Sequence, residues 1–437
     1  PMPSTFNKFL LFKKWVMIFM IVFCTTTFFG IPSAYALSDS KQIVLDAWTL
    51  VNEGYYDPEI FDEIQWKKIR QKTLQKSIDT TEDAYSAIEE MLKPLEDPYT
   101  RVLRPKDYEL LKSSNLGSEI NGVGLQLGVD ESSRKIKVIS TLAGSPAEDA
   151  GIASGFFIET VDGLSALELG LANTASKLRG EKGSKVLVQI STDEGEIKEI
   201  DLERRSVDLR PVRTKRLRDE SHTLGYLRIT QFSESVPKKI EEALQELNEK
   251  EVEGIILDLR NNSGGLVSSG IAVADSFLKE KLVVETKNRD GIKDSIISEK
   301  NTFFDGPMVT IVNKGTASAS EILAGALQDN KRSALIGKQT YGKGLIQSLK
   351  SLSEDSGIAI TVASYLTPNG NNIQGRGIIP DKILDYSEAK DFGSTDDKWV
   401  KDSEIYLNSL LDRVDKNPKK DLTGIPNEIK EYSNGNE

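Results

Sequence analysis

Cysteine and histidine, the side chains that most often bind metals or act as nucleophile and base, are almost absent from this sequence. Its 437 residues include one cysteine, Cys24, and one histidine, His222. A structural zinc centre alone takes four such ligands. We therefore expect no zinc or iron centre and no thiol chemistry. His222 stands among polar residues just ahead of a predicted strand, and it is predicted to be an exposed loop residue without a role.

Long apolar runs are also scarce, and the one that stands out lies near the N-terminus. Residues 15–24 form an apolar stretch, shorter than the roughly 20 residues that span a bilayer. Lysines precede it without any acidic residue, and Ala-Tyr-Ala follows at residues 34–36. This pattern is typical of a secretory signal peptide over residues 1–36 and of an exported protein. An uncleaved membrane anchor is the alternative. Because Cys24 lies inside the stretch, a cleaved chain would form no disulfide.

Positive charge is in the minority. Lysine and arginine number 56 against 67 aspartates and glutamates, which gives a formal net charge of −11. A negative field repels nucleic acid and anionic membrane surfaces, although solubility alone also accounts for the acidity. We expect no nucleic-acid partner, and contact with membranes only through membrane-bound substrates.

The hydrophobic pattern divides the chain into parts of different character. Residues 37–103 carry apolar side chains at helical spacing, whereas residues 104–206 carry short β-branched and glycine-flanked runs typical of a small β-rich domain. From about residue 224, strands and helices alternate, which predicts an α/β layer with a mixed sheet over residues 207–385. Residues 386–437 are predicted to form a C-terminal helical segment and a polar tail. The predicted fold class is α/β within a multidomain, α+β arrangement.

Ser318 is a candidate nucleophile because it stands between a predicted buried strand and a predicted helix. The N-terminus of a helix offers free N–H groups to negative charge. The N–H of the next residue, Ala319, can donate to an oxyanion in such a turn. A helix capping box explains the same residues, because Glu321 completes the pattern S-x-x-E. This motif taken alone favours the cap.

Lys343 is the candidate base, since a serine nucleophile needs one and the chain has a single histidine. The amine must be neutral near pH 7, which requires its pKa to fall by about 3 units from the usual 10.4. Burial in an apolar site can lower it by that amount. Gln347 could orient the amine. The alternatives are a surface lysine and a phosphate loop, because residues 337–343 match G-x-x-x-x-G-K. Gly344 then stands where the Ser or Thr that binds magnesium would be.

Gly264 lies in a glycine pair that follows a predicted buried strand ending at Leu259. In α/β sheets, the carboxyl end of a strand is where ligand contacts are made. Gly264 could therefore supply a second main-chain donor to an oxyanion. A tight turn into the next helix is the alternative.

Together these segments resemble the tail-specific, or C-terminal processing, serine proteases. The matching segments are residues 315–322 around Ser318, residues 342–347 with Lys343 and Gln347, and residues 97–101, 257–266, 367–370 and 377–381. The resemblance implies a Ser-Lys dyad of Ser318 and Lys343 oriented by Gln347, with Gly264 and Ala319 as the oxyanion hole and no metal or cofactor.

The resemblance also implies a PDZ domain over residues 104–206. Its strand at Val123, Gly124 and Leu125 would bind the C-terminal carboxylate of a protein substrate and add the extended tail as a strand. The sequence departs from the family pattern at Gly155-Phe156, where an aspartate usually follows the glycine. A PDZ protein with an inert protease core is the non-enzymatic alternative.

Within this family the chain is most similar to the photosynthetic branch. That branch implies maturation of a photosystem II reaction-centre precursor in the thylakoid lumen. A periplasmic enzyme with other substrates is the alternative.

Overall fold

The computed structural model describes residues 38–416, apart from 117–119, 131, 143, 193–194, 208–210, 219–221, 292, 300–301, 354 and 390–391. The predicted signal peptide and most of the predicted polar tail lie outside the described residues. Within them, no helix combines the length and the apolar character needed to cross a bilayer.

Helices form the N-terminal region. They are α1 (Asp39–Gly54), α2 (Ile60–Glu63), α3 (Trp66–Gln75) and α4 (Thr81–Leu92), followed by a 3-10 turn at Lys93–Leu95. Ser38 and Thr80 start α1 and α4 by accepting main-chain N–H groups, as N-cap residues do. Trp48 and Trp66 stack in the shared apolar core with ring centroids 6.1 Å apart. The predicted helical character of this region is confirmed.

A β-rich domain follows. Strand β1 (Arg101–Leu103) precedes it, and its elements are α5 (Pro105–Leu116), β2 (Ile120–Gly122), β3 (Leu125–Val129), β4 (Ile136–Thr141), α6 (Pro146–Asp149), β5 (Phe157–Val161), β6 (Leu164–Ser165), α7 (Ala166–Leu178), β7 (Lys185–Ser191), β8 (Ile197–Glu203) and β9 (Arg205–Val207). Its main sheet is antiparallel in the order β3-β4-β5-β7-β8, so β3 lies at an edge. The first strand, β1, belongs elsewhere, because it pairs with a strand near residue 358.

The α/β core alternates strands and helices. Its elements are β10 (Val212–Arg218), β11 (Thr223–Ile229), α8 (Val236–Glu249), β12 (Gly254–Asp258), α9 (Val267–Asp275), β13 (Leu282–Asn288), β14 (Lys293–Ile297), β15 (Met308–Val312), α10 (Ala319–Asp329), β16 (Ala334–Gly337), β17 (Leu345–Ser351), β18 (Gly357–Leu366), β19 (Lys382–Ile383) and α11 (Lys398–Lys416). The sheet β10-β11-β12-β15-β16-β19 is parallel except where β10 meets β11. The predicted mixed sheet is confirmed.

The carboxyl ends of β12, β15 and β16 meet at one edge of the core sheet. The candidate residues Gly264, Ser318 and Lys343 follow these three strands in turn. A second sheet, β1-β18-β13-β14 with β17 on the other side of β18, lies beside this edge. Parallel pairing therefore gathers three segments that are far apart in sequence.

His222 is not an exposed loop residue as predicted. It is 7% exposed, and its ring nitrogens lie 2.9 Å from Glu253 Oε2 and 3.2 Å from Asp412 Oδ1. Asp412 belongs to α11, so the histidine joins the core sheet to the C-terminal helix. Sequence spacing gave no sign of this contact, because Asp412 is 190 residues away along the chain.

Candidate active site

Ser318 occupies a sharp turn between β15 and α10. Its φ and ψ are 58° and −120°, a strained combination that costs a non-glycine residue on the order of 1–3 kcal/mol. The turn holds the largely buried side chain at the N-terminus of α10, where free N–H groups favour negative charge. A strained serine between a strand and a helix is the arrangement of nucleophile elbows.

The capping-box pair of Ser318 and Glu321 is in place. The Glu321 carboxylate accepts the Ser318 N–H at 2.9 Å. The Glu321 N–H donates to the Ser318 main-chain carbonyl at 2.8 Å. Glu321 therefore binds both the N–H and the carbonyl of Ser318 and holds this residue at the start of α10.

Glu321 joins the two candidate catalytic segments. Its carboxylate is fully buried. Its Oε2 atom accepts N–H groups from both Ser318 and Lys343, each at 2.9 Å. Oε1 accepts the Gly342 N–H at 2.8 Å and the Thr340 hydroxyl at 2.5 Å. The main chains of the serine and the lysine thus converge on one oxygen atom.

Two opposing effects act on the pKa of the Glu321 carboxylate. Burial raises the pKa of Glu321, whereas the hydrogen bonds from Thr340, Lys343, Ser318 and Gly342 favour its anion. Thr340 Oγ1 itself accepts the Ile378 N–H at 2.6 Å. The hydroxyl proton of Thr340 is therefore free to point at the carboxylate.

Tyr365 on β18 makes a second bridge between the same two segments. Its buried hydroxyl lies 3.1 Å from the Ser318 carbonyl and 2.7 Å from the Lys343 carbonyl. A phenol has one proton, so it is shared between the two acceptors. Together, Glu321 binds the N–H groups of the two catalytic candidates and Tyr365 binds their carbonyls.

The environment of Lys343 favours a neutral amine. Burial lowers its pKa to about 8, and the positive charge of Arg101 adds to the effect, while Asp97 and Glu321 oppose it. The Nζ atom lies 4.7 Å from the centroid of the Tyr99 ring. The chain after Lys343 continues into strand β17 rather than into a helix, so the segment lacks the strand–loop–helix form of a phosphate loop.

Gln347 lies on β17 near the lysine segment. Its side-chain amide donates to Thr361 Oγ1 at 3.4 Å. The Thr361 N–H donates to Thr100 Oγ1 at 3.0 Å, and the Thr100 hydroxyl donates to Asp97 Oδ2 at 2.7 Å. Gln347 is thus linked to the segment that surrounds the Lys343 amine, but its own hydrogen bond is to Thr361.

Gly264 packs directly against the nucleophile turn. A Cβ atom at this position would lie 2.8 Å from Ser318 Cβ and 2.9 Å from the Ala319 nitrogen. The φ of Gly264 is 99°, which favours glycine. Its N–H donates to Asn262 Oδ1 at 3.0 Å. To bind an oxyanion, this N–H must share or leave the Asn262 oxygen.

Ala319 is the first residue of α10, and its N–H makes no hydrogen bond within the described part of the chain. Free N–H groups of this kind are a property of the first helical turn. The structure therefore places two N–H donors beside Ser318: that of Ala319, which is available, and that of Gly264, which is bound to the Asn262 side chain.

The residues predicted to bind a substrate carboxylate lie on the β-rich domain, outside the catalytic cluster. The carbonyl of Val123 accepts the Ala147 N–H, the carbonyl of Gly124 accepts the Leu142 N–H, and Leu125 begins edge strand β3. The far end of β3 contacts the catalytic segment, because the Tyr341 hydroxyl donates to the Val129 carbonyl at 3.2 Å.

Sequence reasoning missed the supporting side chains of the site. Glu321 was identified only as a capping partner, although its place three residues after Ser318 was the visible signal. Arg101 was identified only as part of the matching segment 97–101, without a role. Tyr365 carried no signal, because it reaches the site from the second sheet. Among the described residues, no group of three or more Cys, His, Asp or Glu side chains is arranged to hold a metal ion.

Comparison with known proteins matches residues 223–384 to the model of peptidase family S41. A carboxyl-terminal-processing protease of Synechocystis sp. is 41% identical over 378 residues, covering 85% of this chain and 88% of that protein. The chain belongs to peptidase family S41. It is a serine peptidase of the carboxyl-terminal-processing type, so its substrates are proteins.

Other S41 relatives come from plastids and from bacteria. The chloroplastic C-terminal processing peptidase of Tetradesmus obliquus is 37% identical, covering 80% of this chain and 79% of that protein. The carboxy-terminal processing protease of Bacillus subtilis is 34% identical, covering 75% and 70%. The solved structure of a photosystem II D1 C-terminal processing protease matches with a TM-score of 0.72 and 35% identity, covering 81% of this chain and 95% of that one.

Proposed function

We propose that Ser318 and Lys343 form the catalytic dyad of this S41 peptidase. The observation that carries the assignment is the shared Glu321 oxygen, which accepts the N–H groups of both residues at 2.9 Å. The lowered pKa of Lys343 makes the amine a competent proton acceptor near neutral pH.

In the proposed reaction, the neutral Lys343 amine takes the proton of the Ser318 hydroxyl while Oγ attacks the scissile carbonyl carbon. The carbonyl oxygen becomes an oxyanion, bound by the Ala319 N–H and by the Gly264 N–H once it turns from Asn262. The protonated lysine then donates its proton to the leaving amine. The resulting acyl-enzyme is hydrolysed by water through the same steps, with Gln347 helping to orient the amine.

The dyad is tested with two substitutions. Ser318→Ala and Lys343→Arg should each abolish cleavage of unfolded casein, because arginine stays protonated and cannot act as a base. A serine-directed fluorophosphonate probe should label the wild type and not Ser318→Ala. Exposed Lys350→Arg on β17 is the matched control and should keep wild-type activity. An unlabelled wild type would favour the inert PDZ protein, and an active Lys343→Arg variant would remove the lysine from the base role.

We propose that residues 104–206 form a PDZ domain that binds the substrate's C-terminus. The open edge of β3 supports this, because an extended peptide can add to it as a further strand. Val123, Gly124 and Leu125 would supply the main-chain groups for the terminal carboxylate. A peptide with an apolar, free C-terminus should compete with casein, whereas the same peptide with an amidated end should not.

We propose maturation of a photosystem II reaction-centre precursor as the physiological reaction, and the thylakoid lumen as its location. Support comes from the D1-processing structure, from the chloroplastic relatives and from the predicted signal peptide. A periplasmic peptidase with other substrates is the second candidate, supported by the Bacillus relative. Mass spectrometry should show removal of the C-terminal extension from the reaction-centre precursor and not from unrelated tails of equal length.

A further inference from the structure

Two carboxylates beyond the matched family region support the loops that carry the nucleophile and the oxyanion donors. The family match ends at residue 384, and Glu388 and Asp397 follow it. We propose that Glu388 and Asp397 are positioning residues for catalysis, acting through Asn313 and Arg260. The proposal rests on the assignment of Ser318 and Gly264 made above.

Glu388 acts through the buried amide of Asn313. The Asn313 amide donates to Glu388 Oε2 at 2.7 Å and to Asn261 Oδ1 at 2.9 Å. Its oxygen accepts the Asn261 N–H at 2.9 Å and the Gly315 N–H at 3.0 Å. Asn313 therefore bridges the loop before Ser318 and the loop before Gly264.

Donors and acceptors fix which way the Asn313 amide points. In the opposite orientation, its oxygen would face the Glu388 carboxylate, and its NH₂ group would face the N–H groups of Asn261 and Gly315. Every one of these pairs would be repulsive or unbonded. The Glu388 carboxylate, together with the N–H groups of Asn261 and Gly315, thus selects the orientation in which one side chain binds both loops.

The Asn261 contact matters because this residue has a φ of 53°. Asparagine adopts this left-handed conformation more readily than most residues, and the two hydrogen bonds with Asn313 hold Asn261 in it. Residues 259–266, which join β12 to α9 and include Gly264, are called the oxyanion loop below. Asn261 is three residues ahead of Gly264, so its conformation sets the direction in which this loop leaves strand β12.

Asp397 acts on the same loop through Arg260, the residue before Asn261. The fully buried guanidinium of Arg260 donates to both oxygens of Asp397, at 3.1 and 2.6 Å. On its other side it donates to Asp258 on β12. Arg260 is therefore held between the strand that it follows and a residue 137 positions later in the chain.

Asp397 is itself held in place by its own hydrogen bonds. Asp397 Oδ1 accepts the N–H groups of Trp399 and Val400 at 3.2 and 3.4 Å, which caps helix α11. The ring of Phe392 lies 4.0 Å from the Arg260 guanidinium carbon. The segment from Phe392 into α11 thus presents Asp397 at a defined place beneath the oxyanion loop.

The test compares Glu388→Ala with Glu388→Gln in the full chain. Alanine removes the acceptor, whereas glutamine keeps an oxygen that can accept from Asn313. Exposed Asp385→Ala is the matched control. For each variant, kcat and KM on unfolded casein, the rate of fluorophosphonate labelling and the melting temperature are measured.

We expect Glu388→Ala to lower kcat and the labelling rate about tenfold while KM stays within about twofold, and Glu388→Gln to restore most of the loss. A melting temperature that falls without any change in kcat or labelling rate would overturn the proposal, and so would equal losses in the alanine and glutamine variants. Asp397→Asn should lower kcat further, whereas exposed Asp396→Asn should not.

The test of the positioning role of Glu388 and the test of the Ser318–Lys343 dyad can fail independently of each other. If Ser318→Ala remains active, the proposed nucleophile is wrong. If Ser318→Ala is inactive and Glu388→Ala matches the wild type in kcat and labelling, only the positioning role is lost.

Discussion

At the residue scale, the proposed mechanism depends on a single amine. Lys343 has a pKa lowered to about 8 chiefly by burial, with Arg101 adding to it. The Tyr99 ring 4.7 Å away and the charges of Asp97 and Glu321 favour the protonated form instead. The balance leaves the lysine poised to accept and return a proton, which a general base requires.

This balance predicts how activity depends on pH. In the proposed mechanism, Lys343 acts as the base only when neutral, so kcat/KM should rise as pH increases through about 8. About one amine in ten is neutral at pH 7 for such a pKa, and about nine in ten at pH 9. Initial rates of casein cleavage between pH 6 and 10 measure the profile. A rate that is flat across this range would show that Lys343 does not titrate as the base.

Glu321 is predicted to be as important as the proposed dyad, because its buried carboxylate binds the main chain of both residues. Glu321→Gln would turn one acceptor oxygen into an NH₂ group that faces N–H donors, because Oε1 and Oε2 both accept such groups. We expect kcat to fall about 10- to 100-fold, since each unsatisfied buried group costs about 1–3 kcal/mol. Exposed Glu241→Gln on α8 is the control. Wild-type kcat in Glu321→Gln would contradict this role.

At the element scale, the site depends on how closely two loops approach. Gly264 follows β12 and Ser318 follows β15, and the parallel pairing of these strands brings the loops together. Strand and helix patterns in the sequence predicted β12, β15 and α10, and therefore this meeting. They did not predict the contacts of Tyr365 with the two loops, because those contacts depend on how two sheets pack and not on local periodicity.

Because the two loops lie so close together, adding one methyl group at Gly264 is predicted to have a large effect on activity. Gly264→Ala would place Cβ 2.8 Å from the Ala317 carbonyl and from Ser318 Cβ. It also puts a side chain at a φ of 99°. We expect loss of detectable casein cleavage and of fluorophosphonate labelling.

Gly291→Ala is the matched control for Gly264→Ala. It has a φ of 73° but nothing within 4 Å of the added Cβ, so it carries the backbone cost without the clash. Equal activity in the two variants would show that the close approach of the loops is not needed.

At the scale of the whole molecule, separate parts of the chain meet around the proposed dyad. The segment 97–101 contributes Tyr99 and Arg101, and the β-rich domain accepts a hydrogen bond from Tyr341. The C-terminal segment adds Asp397 beneath the oxyanion loop. Such contacts between regions cannot be obtained from a sequence pattern, because no periodicity relates their positions.

His222 joins the core sheet to helix α11, and its charge should make the free energy of unfolding depend on pH. Its pKa is raised, first by the hydrogen bond to Glu253 and further by Asp412, against an opposing effect of burial. A raised pKa means that the folded state binds the proton more tightly than the unfolded chain. The stabilisation is therefore complete below the unfolded value of about 6.5 and is lost as pH rises through the folded value.

The prediction is tested with His222→Gln, whose side chain stays neutral at every pH and so cannot carry the positive charge of a protonated imidazole. We expect the variant to melt at a lower temperature than the wild type at pH 6, and the gap to narrow at pH 8. His222 is the only histidine in the chain, so no second imidazole can produce the trend. A gap that stays constant between the two pH values would mean that the ring packs between Glu253 and Asp412 without carrying charge.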